Sequence, residues 1–179
     1  MSGKIFGELR ARSDAAWANL TGQLQGMEAC LERSDAPGEW TAREVLSHLL
    51  FDRSWDPVEF LHRFSTHDLP LYEEVHGEPY LVEELRVWSL AEFIEALAEQ
   101  RRRVLEYLES LSDAEFQERK ARIPFFKTFA GTEEISLQIF VGAFFDFHWS
   151  DHASQLAKIR KAAGLPAATA ISVTSLAPH

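Results

Sequence analysis

With 179 residues, 46% of them hydrophobic and 26% charged, the chain has the make-up of one globular domain with a single core, and gives no compositional case for disorder or a fibrous repeat. A formal net charge of −10 repels nucleic acid and anionic membrane alike. No signal peptide and no apolar run of roughly eighteen residues is present, so we expect a cytoplasmic protein with no membrane and no nucleic-acid partner.

Four segments carry the helical period, and no strand-like alternation of any length lies between them. The first runs from about Ile5 to Glu32, with Phe6, Leu9, Ala16, Leu20, Leu24, Met27 and Leu31 as its apolar stripe. The one cysteine, Cys30, sits within that stripe and reads as a small buried core residue rather than a reactive thiol. The second segment opens at WTAREV, where Thr41 and Glu44 form a capping box and Trp40 and Val45 a hydrophobic staple. It continues to about Phe64, with a kink or break near Pro57. The third opens at WSLAEF, with Ser89 and Glu92 as the box and Trp88 and Phe93 as the staple, and reaches Leu111. Its basic cluster, Arg101 to Arg103, is faced by Glu99 and Glu106 and reads as a solvated helix face.

The fourth helix opens near Gly131 and Thr132, carries Glu133 and Glu134 in its first turn, and closes at Ala163 before Gly164 and Pro166. At about 30 residues it spans roughly 45 Å. Its stretch ISLQIFVGAFFDFHW is apolar on nearly every side and must be covered, either by the other helices and loops or by a second subunit. We expect a homodimer whose interface includes these phenylalanines. Gly142 in mid-helix suits close approach of another backbone. The domain then covers 1–164, followed by a tail at 165–179.

The connection between the second and third helices, STHDLPLYEEVHGEPYLVEELRVW, is too long for a tight hairpin. Those helices can therefore run parallel, giving an all-α four-helix bundle in up-down-down-up order with one long crossover. That order fixes heights. His48 lies roughly 10 Å below the start of helix two and His152 roughly 17 Å before the end of helix four, so the two meet within a turn or two. In an all-antiparallel bundle, His48 and His148 would differ by roughly 14 Å before any shift of one helix along another.

His148 and His152, four apart on one face, can grip a single metal ion, and His48 stands on the face that Val45, Leu46 and Leu49 mark as buried. Each histidine alone reads more readily as a satisfied core residue than as a ligand. Together they suit a shared cation. Trp149 stands where a zincin motif needs its glutamate, so that class is excluded. Asp52, one turn after His48, reads either as a carboxylate that orients a water or an imidazole, or as a solvated one. Glu44 completes its capping box; His62, His67 and His76 read as surface residues, and His179 belongs to the tail.

The array PGEWTAREVLSHLL, then a long middle region, then HWSDHASQLAKIRKAAG resembles the DinB-like superfamily, also called DinB/YfiT-like, over about Ile5 to Gly164. The resemblance implies an up-down-down-up bundle, frequently dimeric, with zinc or nickel held by His48, His148 and His152. The tail and the apolar stretch before the pair depart from the family pattern. Three imidazoles leave coordination positions open, as catalytic sites do. The resemblance thus implies a metal-dependent enzyme, a thiol S-transferase or hydrolase, in which the metal activates a thiol or water against a small electrophile in detoxification or stress response. A low-molecular-weight thiol is the implied co-substrate. The competing reading is a non-catalytic metal or small-molecule binding bundle, whose site a fourth protein ligand would close.

Overall fold

Gly26 stops the first helix. Helix α1 (Lys4–Leu24) ends ahead of that residue, whose φ of 71° is the left-handed terminator glycine adopts freely. The apolar stripe outlasts the helix: a 3-10 turn at Glu28–Cys30 follows, and Met27 and Leu31 remain buried. Cys30, expected in the core, is half-buried against it. The computed structural model describes residues 3–51, 55–73 and 77–168. Asp52, His76, His179 and the tail beyond 168 lie outside the described residues.

At its start α1 has a glycine cap with no side chain, and the missing acceptor comes from across the fold. The Asp113 carboxylate accepts from the amides of Lys4 at 3.2 Å and Ile5 at 3.0 Å. A Cβ at residue 3 would collide with that carboxylate, which is why glycine stands there. Asp113→Ala is expected to lower the unfolding free energy by about 1 kcal/mol, read from a urea titration.

Helix α2 (Ala42–Leu50) begins with the capping box of Thr41 and Glu44. Buried Arg43 anchors it, donating to Glu32 at 2.5 Å and to the carbonyls of Leu85 and Trp88 at 2.9 and 2.7 Å. The break expected near Pro57 starts earlier: α2 stops at Leu50, and α3 (Pro57–His62) restarts under an Asp56 cap. Helix α4 (Leu90–Glu109) carries the second capping box, with Trp88 packed edge-on against Phe93 at 5.4 Å. Its arginine cluster is less solvated than expected. Arg102 pairs with Glu99 and Glu106 on the outer face, but Arg101 turns in to Ser13 and Asp14 of α1, and Arg103 reaches Asp56.

Between α4 and the last helix lie four elements that the sequence reading missed. Helix α5 (Asp113–Glu118) has its own capping box, Ser112 and Glu115. Strands β1 (Lys120–Arg122) and β2 (Glu134–Ser136) then pair antiparallel, with Ala121 opposite Ile135, and enclose a loop bearing the short helix α6 (Lys127–Ala130). Backbone bonds from Ser65 and Tyr72 stitch the α3–α4 connection to β1. Glu133 and Glu134, expected in a first helical turn, instead bind Arg122 and Lys120 across this hairpin at 2.9 and 2.7 Å.

The last helix therefore begins at α7 (Leu137–Gly142) under a Ser136 cap, widens into a π-helical segment at Ala143–Phe147, and continues as α8 (His148–Ala162). Helix α1 packs along α8, while α2 lies against α4 and α8. Trp149 is fully buried at the centre, 5.6 Å from Trp17 and 5.9 Å from Phe145 between ring centroids. Arg160 closes the far end by donating to the carbonyls of Gln23 at 2.9 Å, Gln25, and Pro166 at 2.6 Å. Gly142 meets only the side chains of Leu9 and Arg12, at ordinary contact distance, so no backbone approach demands glycine there. The apolar helix is not covered all round within one chain: Ile139 is 50% and Phe147 73% exposed.

Candidate metal centre

Four residues per step overshoot a full α-helical turn by about 40°, so a row at 140, 144, 148 and 152 would spiral by about 120°. The wider π turns at Ala143–Phe147 take that overshoot back. Phe140, Phe144, His148 and His152 consequently form a continuous row, with successive ring centroids 5.2, 5.6 and 4.6 Å apart. Both histidines of the pair are delivered to the face that α2 covers.

His48 meets them from α2. Its Nε2 lies 2.9 Å from His148 Nε2, which lies 3.0 Å from His152 Nε2. Around a shared first-row cation bound at about 2.0–2.1 Å, nitrogens stand about 2.9–3.4 Å apart, so the three are already spaced as ligands would be. Proton placement gives the same answer. His48 Nδ1 is 2.7 Å from the Glu78 carbonyl, an acceptor only, so that nitrogen donates and a neutral His48 presents a bare lone pair at Nε2. His152 Nδ1 lies 2.9 Å from Gln155 Oε1, which sets the same tautomer. Two lone pairs therefore converge on His148 Nε2, which can carry at most one hydrogen. One contact is repulsive unless a cation is shared, and the donor set fits a metal dication.

Burial pushes the His152 pKa below its ordinary 6.5, outweighing the opposing influence of Gln155 and of Asp151. The imidazole is thus kept neutral, the form that binds metal. In metal-free protein an unfolded His152 takes up a proton before the folded one does. Its stabilising contribution is full above about pH 6.5 and declines as the pH falls through that value toward the lower folded one. Thermal melts of chelator-treated protein are expected to move to lower temperature across this window.

Strain is concentrated beside these residues. Phe51 and Tyr80 have φ of 61° and 50°, the two positive values outside glycine among the described residues. Such conformations cost on the order of 1–3 kcal/mol each and persist where the surroundings impose them. Tyr80 is held by its carbonyl, which accepts from Ser47 at 3.0 Å, and its ring stacks over His48 at 6.0 Å. Phe51 stacks on Phe144 at 4.6 Å. Trp40, the residue ahead of the α2 cap, lies parallel to His152 at 6.2 Å.

The histidines open onto a cavity of about 920 Å³. The π segment forms one wall, the α2 end another, and the hairpin loop contributes Ile123, Phe125, Phe126 and Phe129. Asp151 is the one carboxylate among the described lining residues. The sequence reading missed Asp151 and Gln155, although both stand within HWSDHASQ, and it missed the hairpin phenylalanines altogether. Asp52 cannot be placed because it lies outside the described residues. His62 and His67 are exposed, as expected of surface histidines, and His62 packs against Tyr107 instead.

The model of the DinB superfamily matches residues 6–142, which includes His48 and stops ahead of the other two histidines. No curated protein matches the chain significantly. Among solved structures it is similar to YfiT from Bacillus subtilis, described as a probable metal-dependent hydrolase with an unusual four-helix bundle topology. That likeness has a TM-score of 0.66 at 18% identity, covers 88% of this chain and 89% of the other, and shows a shared fold. With its helical bundle, its three-histidine cluster and a family match over most of its length, the chain belongs to the DinB superfamily.

Proposed function

We propose that the protein is a metal-dependent enzyme in which His48, His148 and His152 hold one divalent cation and a small electrophile occupies the adjoining cavity. The observation that carries this reading is the convergence of the His48 and His152 lone pairs on His148 Nε2. Zinc and nickel are the ions we favour, since neutral imidazoles suit both. When bound, the cation would polarise the electrophile and lower the pKa of an attacking water or thiol. The chain's own groups do the rest. Glu78 and Gln155 fix the imidazole tautomers, the aromatic walls exclude bulk water, and Asp151 is positioned to accept a proton at its carboxylate. Asp52, four residues after His48 in the sequence, is a second proposed proton carrier or orienting group.

Attack by water makes the protein a hydrolase, as its structural neighbour is described; attack by a low-molecular-weight thiol makes it an S-transferase. A homodimer through Ile139 and Phe147 is also proposed, on their exposure. The parallel sense of α2 and α4 remains our proposal, resting on the long connection between them. Among the described residues no helix is long and apolar enough to cross a membrane. The competing reading, a non-catalytic binding bundle, draws support from the scarcity of polar groups in the cavity. Elemental analysis of the purified protein, followed by assays with and without chelator, separates the two. One equivalent of metal per chain, with turnover lost on chelation and restored on reloading, is the expected result. Bound metal without turnover of any ester or thiol-reactive electrophile favours the binding bundle.

A further inference from the structure

We infer that the molecule this site takes is uncharged, largely aromatic or aliphatic, and of drug-like size; the inference rests on the metal-dependent reading and deepens it. The cavity of about 920 Å³ lies at the upper end of the range that small-molecule sites occupy. Its described lining holds no lysine and no arginine, and its one carboxylate, Asp151, repels anions. Among the described lining residues a ligand bearing carboxylates or phosphates finds no fixed positive charge other than the proposed metal. A flat apolar group has many partners: Phe51 and Trp55 pack with tilted rings 4.7 Å apart, Phe144 stacks on Phe51, and Phe125 packs on Phe129 at 4.9 Å across the loop. The aromatic lining also continues to the surface, where Phe125 is 45% and Phe129 72% exposed. Large apolar side chains left in water at the lip of a cavity extend its contact with an apolar occupant.

For an ester the reaction balances simply: water adds to the carbonyl carbon, the bond to the alcohol oxygen breaks, and the proton released by water ends on that oxygen. The same preference makes a carboxylated thiol the poorer of the two attackers.

The test uses the metal-loaded full chain and p-nitrophenyl esters of acetate, butyrate, benzoate, 2-naphthoate and hemisuccinate, each corrected for its uncatalysed rate. Displacement of the neutral dye Nile red by methyl 2-naphthoate is measured alongside, as a readout independent of turnover. The expected result is a rise in kcat/KM of at least tenfold from acetate to naphthoate, with hemisuccinate at least tenfold below butyrate. Phe125→Asp and Phe129→Asp should each weaken both naphthoate turnover and dye binding about tenfold, with metal content unaltered. Turnover with a flat series, or with hemisuccinate preferred, overturns the inference and leaves the hydrolase reading standing. Dye displaced by methyl 2-naphthoate without hydrolysis of any ester supports the ligand class and overturns the hydrolase reading. Absence of dye binding overturns the inference outright.

Discussion

His152→Ala is expected to strip the protein of bound metal and to reduce turnover to background, with the helical fold retained. One nitrogen of three is lost, and the remaining pair, His48 and His148, is a two-ligand site that releases its cation on dialysis. Loss of at least 100-fold in metal affinity is the expected magnitude, read by elemental analysis and by competition with a chromophoric chelator. Gln155→Ala should fall between: the three nitrogens remain, but nothing fixes the His152 tautomer, and an affinity loss of about 10- to 100-fold is expected. Unchanged metal content in His152→Ala would remove that residue from the site.

The largest stability effect is expected at Trp149. Its indole is completely buried between Trp17 and Phe145, where α8 crosses α1, and truncation to alanine should cost about 3–5 kcal/mol in a urea titration. Its indole nitrogen is buried and makes no hydrogen bond with any described residue. Trp149→Phe therefore sacrifices volume alone, breaking no hydrogen bond, and should cost less than half as much. Because Trp149 adjoins His148, the alanine variant should also loosen the metal. Equal losses for both substitutions would mean that the indole nitrogen has a bonding role the described contacts do not contain.

What the sequence made legible was local chemistry with a fixed offset. Thr41 with Glu44 and Ser89 with Glu92 place two helix starts to the residue, because a capping box needs only atoms three positions apart. The same signature at Ser112 and Glu115 escaped notice beside the longer helices. The convergence of His48 with the pair on α8 is expected from helix rise within the crossover order, together with the family resemblance. Less legible were features created by contacts distant in sequence. Lys120–Arg122 and Glu134–Ser136 are too short to alternate visibly, and they become strands only by pairing with each other and with residues of the α3–α4 connection. Nor does periodicity show the π turns before His148, since an apolar run on every side has no phase to lose. The aromatic cavity depends on both, so it was the part of the site least visible beforehand.

X-ray absorption at the metal edge of the purified, metal-loaded protein reads the three-imidazole cluster itself. One first-row dication per chain is expected, with the outer-shell scattering of three imidazoles, falling to two in His48→Ala. A protein that binds no stoichiometric metal, or whose spectrum keeps the same imidazole count when His48 is removed, would contradict a shared three-histidine centre.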